Sequence, residues 1–185
     1  MNYEQIKKNQ YYKLRREWKE LKQEHNTIKT LFEGIAKQFV VNIIKFCTDN
    51  DLGDPFTETE PETQNVGRKE SKSSSFNKIF RKIVTSTHPD KAEQKENSQE
   101  IYHAATKARK EGNLQELLDA GKSLSVKLNV NEITTAELDL LQSNIDELKD
   151  KIQKIKNSYA WVWFHGNPQL RNEIFYDFIE SVKNK

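Results

Sequence analysis

The sequence predicts an all-α protein, with a helical hairpin inserted between the two arms of a long antiparallel coiled coil and a further helix at the C-terminal end. Three observations predict it. Charged residues make up 31% and apolar residues 35% of the 185 positions, with only six glycines and four prolines, a balance that suits long solvated helices better than a sheet. Two stretches far apart in the chain carry apolar residues in alternating steps of three and four. Between them lie two short amphipathic segments joined by a proline turn.

The first stretch runs through Tyr11, Leu14, Trp18, Leu21, His25, Ile28, Phe32, Ile35 and Phe39 without a break. This is a heptad seam, the mark of a helix that packs along its length against another. His25 is its one polar position, where a polar residue fixes pairing register more often than it binds a ligand. Residues 1–48 therefore read as one arm. Residues 49–75 read as a flexible linker, because Asp49 to Glu62 is acidic and broken by Gly53, Pro55 and Pro61, and the stretch then turns basic and serine-rich to Ser75.

Residues 76–128 carry the hairpin. Phe76, Phe80, Ile83, Val84 and Thr87 fall on one helical face, with Lys78, Arg81, Lys82 and Thr85 on the other and Ser73 to Ser75 available as N-caps. His88-Pro89-Asp90 ends that helix, since proline disfavours the helical conformation in the residue before it. After a polar loop from Lys91 to Asn97, a helix capped by Ser98 turns Ile101, Ala104, Ala105 and Ala108 inward, until Gly112 and Asn113 stop it. Leu114, Leu117 and Leu118, with Leu124 beyond Gly121, suggest a further short helix packing back on the pair.

The second seam, Leu138, Leu141, Ile145, Leu148, Ile152, Ile155, Tyr159 and Val162, lies within a second arm at 129–163. Pairing the two arms within one chain is the simplest way to bury both seams, and a coiled-coil homodimer is the alternative. At 164–185 a C-terminal helix, capped by Asn167 and started by Pro168, would bury Leu170, Ile174, Phe175, Phe178 and Val182. Trp161, Trp163 and Phe164 stand at its approach, where aromatic residues most often serve as core.

Composition narrows the function classes. The 30 basic and 28 acidic residues leave a formal charge of +2, too mild to argue for nucleic-acid binding. The N-terminal cations Lys7, Lys8, Lys13, Arg15, Arg16, Lys19 and Lys22 alternate with Glu4, Glu17, Glu20 and Glu24, which fits a solvated coiled-coil face better than a phosphate track. Cys47, the one cysteine, cannot form an intramolecular disulfide and reads as a small core residue in a reducing compartment. No apolar stretch approaches the ~20 residues of a membrane span, and no apolar signal segment opens the chain, so a soluble cytoplasmic protein is expected. His88, His103 and His165 have no cysteine or carboxylate at metal-ligand spacing, and no phosphate loop, nucleophile elbow or carboxylate pair suggests catalysis. No enzyme activity, metal or cofactor is expected.

The segment Phe80-Arg81-Lys82-Ile83-Val84-Thr85-Ser86-Thr87-His88-Pro89-Asp90-Lys91 resembles the J-domain of the DnaJ co-chaperone family. In that family the second helix runs aromatic, basic, basic, apolar and reaches His-Pro-Asp after four more residues. The tripeptide alone would arise by chance in roughly one chain of this length in a hundred. The flanking amphipathic segments supply the rest of the specificity. The resemblance covers Phe76 to Ala108, extends at most to Leu128, and leaves both outer segments unexplained. It departs from the family in three places: Thr87 and Ala108 stand where aromatic residues are usual, and no first helix immediately precedes Phe76, the apolar run Leu31 to Phe46 being the candidate replacement.

The resemblance implies a chain that is not itself an enzyme and that engages a DnaK-type ATPase chaperone. Lys78, Arg81 and Lys82 would steer docking onto an acidic surface of that partner, and His88, Pro89 and Asp90, followed by Lys91, would make the contact that stimulates its ATP hydrolysis. Proline fixes such a turn, and an aspartate in it can meet an arginine through charge-assisted bonds. The flanking helices would select an unidentified client or partner. J-proteins with private flanking domains also occur in viruses, in which case the compartment would be the host cytoplasm. The alternative is a degenerate J-fold whose coiled coil serves as an interaction scaffold without chaperone stimulation.

Overall fold

The computed structural model describes residues 3–56, 74–87, 97–124, 126 and 133–183. Among them every regular element is helical: α1 (Tyr3–Asp49), α2 (Ser74–Thr87), α3 (Ser98–Glu111), α4 (Leu114–Ala120), a single 3-10 turn (Lys122–Leu124), α5 (Thr135–Lys156), α6 (Tyr159–His165) and α7 (Pro168–Lys183). No helix among them is long and apolar enough to cross a membrane. The chain divides into two compact units, one formed by residues 1–20 and 66–147, the other by 21–65 and 148–185.

The 47 residues of α1 are uninterrupted because nothing before Asp49 opposes a helix except Gly34, whose Cβ position is open space. Along it Tyr11, Leu14, Trp18, Ile28, Ile35 and Phe39 are buried, Leu21, His25 and Phe32 are half-buried, and beyond Phe39 the buried positions go on in steps of four to Ile43 and Cys47. The helix ends where Asp51 and Gly53 take left-handed backbone angles, φ 53° and 79°, while the Leu52 N–H returns to the Cys47 carbonyl at 3.0 Å.

In the first unit, α2, α3 and α4 pack on one another around Phe76, Ile79, Ile83, Ala105, Ala108, Leu114, Leu117, Leu118 and Val126. Ile79 joins the inner face of α2, an addition to the positions expected from sequence. Ala104 is exposed, so α3 turns inward through Ala105, Ala108 and half-buried Ile101 instead. Its start also differs from expectation. Asn97 occupies the N-cap with φ 74° and makes no side-chain cap bond, and Ser98 is already inside the helix. At the other end Gly112, at φ 65°, supplies the left-handed residue that lets the chain leave α3, and the Asn113 N–H closes on the Ala108 carbonyl at 2.9 Å. Asn113 then caps α4, its side-chain oxygen accepting from the Glu116 N–H at 3.1 Å. Gly121 follows α4 where Ile83 and Val126 leave no room for a side chain.

The early part of α5 completes this unit. Thr134 occupies its N-cap, and the Glu137 carboxylate reaches back to accept the Thr134 N–H at 2.6 Å, one half of a capping box. The Asn144 amide, buried on the same helix, donates to the Gly112 carbonyl at 3.4 Å.

The second unit gathers Ile35, Phe39, Ile43 and Cys47 of α1 with Ala160 and Trp163 of α6 and Phe175 and Ile179 of α7. Phe39 sits among three rings, with centroids 5.7 Å from Trp163, 5.6 Å from Phe175 and 5.3 Å from Phe178. The Glu24 and Lys156 side chains pair at 2.9 Å between α1 and the end of α5. The second heptad seam is buried from Leu138 to Ile152 and then stops. Asn157 and Ser158 break the helix, the Ser158 hydroxyl donates to the Ile155 carbonyl, and its oxygen caps α6. Tyr159 is consequently exposed and Val162 only half-buried, a correction to the expected seam. The Trp161 to Phe164 stretch is a helix in its own right rather than a coil before one, and its last carbonyls are capped by Arg171, which donates to Trp163 at 3.2 Å and Phe164 at 3.1 Å. Asn167 caps α7 as expected, accepting from the Leu170 N–H at 2.8 Å. Ile179 is buried there, and Leu170, Ile174, Phe178 and Val182 are half-buried.

Candidate functional site

The outer face of α2 is the best-defined candidate surface. Phe76, Ile79, Ile83 and Thr87 bury its inner face, and a helix so anchored must present Lys78, Arg81, Lys82 and Thr85 together, because i, i+3, i+4 and i+7 share one side. All four are exposed. The helix contains no acidic residue, and among the described residues no carboxylate pairs with any of the three cations. Their field is therefore directed outward, where a partner's carboxylates can meet it.

The last turn of α2 is closed by its own side chains. The Thr87 hydroxyl donates to the Ile83 carbonyl at 2.9 Å and the Ser86 hydroxyl to the Lys82 carbonyl at 2.9 Å, so both hydroxyls are satisfied by the helix's own backbone. Thr87 is itself buried, a small polar residue seated in the core. Ten residues, 88–97, separate the end of α2 from the start of α3. His88, Pro89, Asp90 and Lys91 fall in this stretch and lie outside the described residues, as do the side chains of Ser73 to Ser75.

Sequence reasoning missed Arg109. This residue of the last turn of α3 lays its guanidinium over the Phe80 ring, 4.4 Å from the centroid. Lys107 and Lys110 offered the same charge one or two positions away, and only the packing of α3 on α2 distinguishes the residue that meets Phe80.

Among the described residues no three of His, Cys, Asp or Glu come together as a metal-ligand group. Cys47 is buried, and desolvation pushes its thiol up, away from the reactive thiolate. His25 is held below the usual histidine range, first by burial and then by Lys151, Lys22 and Lys29, with a hydrogen bond to Asn26 pulling the other way. His165 bonds the Trp161 carbonyl through Nδ1 at 2.9 Å and stacks on the Trp161 ring, so it works within α6.

Comparison with protein-family models, with curated proteins and with solved structures gives no match.

Proposed function

We propose that this chain is a J-domain co-chaperone, in which α2 and α3 form the J-domain hairpin and stimulate ATP hydrolysis by a DnaK-type chaperone without catalysing a reaction themselves. The observation that carries this reading is the outward basic face of α2, which no carboxylate among the described residues pairs, anchored by a buried inner face and followed in sequence by His88-Pro89-Asp90. Lys78, Arg81 and Lys82 steer the encounter, a rate effect that weakens as salt rises. His88, Pro89 and Asp90, with Lys91, make the contact that couples docking to hydrolysis.

The outer helices fit a supporting role. Buried positions recur in steps of three and four along both α1 and α5, and the Glu24–Lys156 pair together with the proximity of Lys151 to His25 favours an antiparallel pairing of these two helices within one chain. Such a scaffold, with α6 and α7, would choose the client or partner brought to the chaperone in the cytoplasm.

The test is single-turnover ATP hydrolysis by a DnaK-type chaperone, with and without this protein, using His88→Gln and Asp90→Asn variants of unchanged helicity. Stimulation by the wild type that both variants lose supports the proposal. An inert wild type, tested also with the chaperone of its own source, replaces it with the reading of a degenerate J-fold acting as a coiled-coil scaffold.

A further inference from the structure

We infer that Arg109, although it lies on α3, is a fourth cation of the chaperone-docking surface, held there by Phe80; this rests on the co-chaperone reading above. Phe80 borders the inner face of α2 and is half-buried, and the next residue, Arg81, is exposed. A guanidinium 4.4 Å from the Phe80 centroid therefore lies where α3 meets α2, and Arg109 is itself exposed, so its charge is open to a partner that docks on α2. Tyr102, Thr106 and Arg109 share one strip of α3 by their i, i+4 and i+7 spacing, and the strip contains no acid. The acids of α3 stand elsewhere. Glu100, Ala104, Lys107 and Glu111 form a separate exposed strip, in which Lys107 and Glu111 approach to 4.0 Å. Charge on α3 is thus sorted, with an arginine that no carboxylate among the described residues pairs laid against α2, and both acids of the helix on another strip.

The stacking has a consequence for binding. A free arginine loses rotamer freedom when it docks, whereas one already laid on a ring gives up less and presents its planar fork to a carboxylate in a defined orientation. The partner chemistry is a carboxylate-bearing surface broad enough to meet both α2 and the end of α3.

The experiment titrates the full-length chain against an ATP-loaded DnaK-type chaperone and reads the half-saturating concentration, the maximal stimulation and their salt dependence. Arg109→Gln is expected to raise the half-saturating concentration by about threefold to tenfold, to flatten its dependence on salt and to leave maximal stimulation intact. Phe80→Leu keeps an apolar residue but frees the arginine, and it is expected to give a smaller loss that does not add to that of Arg109→Gln. Lys107→Gln removes the same charge from the other strip and is expected to change nothing. Equal losses from Arg109→Gln and Lys107→Gln would reduce the effect to net charge and overturn the inference, as would an Arg109→Gln titration that overlays the wild type. Both results leave the co-chaperone reading standing, whereas a wild type that never stimulates removes that reading and this inference together.

Discussion

Replacing Gly121 by alanine tests the packing that seats α2. The backbone at this position, φ −80° and ψ −3°, suits any residue, so the requirement for glycine is one of space. An added Cβ would stand 2.9 Å from both Ile83 Cδ1 and Val126 Cβ and 3.1 Å from Ile83 Cγ1, where carbon atoms normally rest at about 3.5–4.0 Å. Ile83 is fully buried and cannot swing into water, and a Cβ atom such as that of Val126 moves only with its backbone. Overpacking of this kind costs about 1–3 kcal/mol, and the lower entropy of an unfolded chain with alanine returns about 0.4–1 kcal/mol. The expected net loss is about 1–2 kcal/mol, which in urea, with a slope of about 2 kcal/mol per molar, lowers the unfolding midpoint by about 0.5–1 M. Far-ultraviolet circular dichroism during urea titration measures it. Gly34→Ala is the control, because nothing lies within 4 Å of its Cβ position in the exposed middle of α1, and there the same substitution should stabilise by about 0.5–1 kcal/mol. An unchanged or raised midpoint for Gly121→Ala would refute the close seating of the turn after α4 against Ile83.

Further expectations concern the caps, the core and pH. Asn113→Ala removes the acceptor for the Glu116 N–H and should cost about 1 kcal/mol by the same denaturation assay, with Asn113→Asp retaining most of it. Ile145→Ala, at a fully buried position of α5, should cost about 2–5 kcal/mol; a loss below 1 kcal/mol would show that the seam residue is not enclosed. His25 titrates lower in the folded chain than in the unfolded one, so the unfolded state takes up the proton first. Its contribution is complete above the ordinary histidine value of about 6.5, falls as pH drops below that, and levels off once the folded histidine protonates. Unfolding midpoints at pH 7.5 and pH 5 should therefore diverge less in His25→Leu than in the wild type, and an identical pH dependence in the two would exclude the histidine as its source.

The sequence by itself determined the helical class, the two alternating apolar patterns and the division of α2 into a basic and an apolar face, because 3.6-residue periodicity is a local property carried by side-chain order. Local chemistry also made the stops legible: Gly112 and Asn113 at the end of α3, and Asn167-Pro168 opening α7. Only tertiary structure decided the rest. The alternation at Leu138 to Val162 looked continuous in sequence, yet Ser158 preferred to cap a new helix whose tryptophan packs with Phe39 and Phe175, and that long-range gain outweighed continuing the seam. Ala104 matched the helical pattern as well as Ala105 did, and the direction from which α2 approaches made one exposed and the other buried. Arg109 was one of three cations within four residues until α3 packed on α2 and brought its guanidinium over Phe80. A pattern along the chain states which face of a helix seeks cover; what covers it, and which charges are gathered beside it, depends on partners tens of residues away.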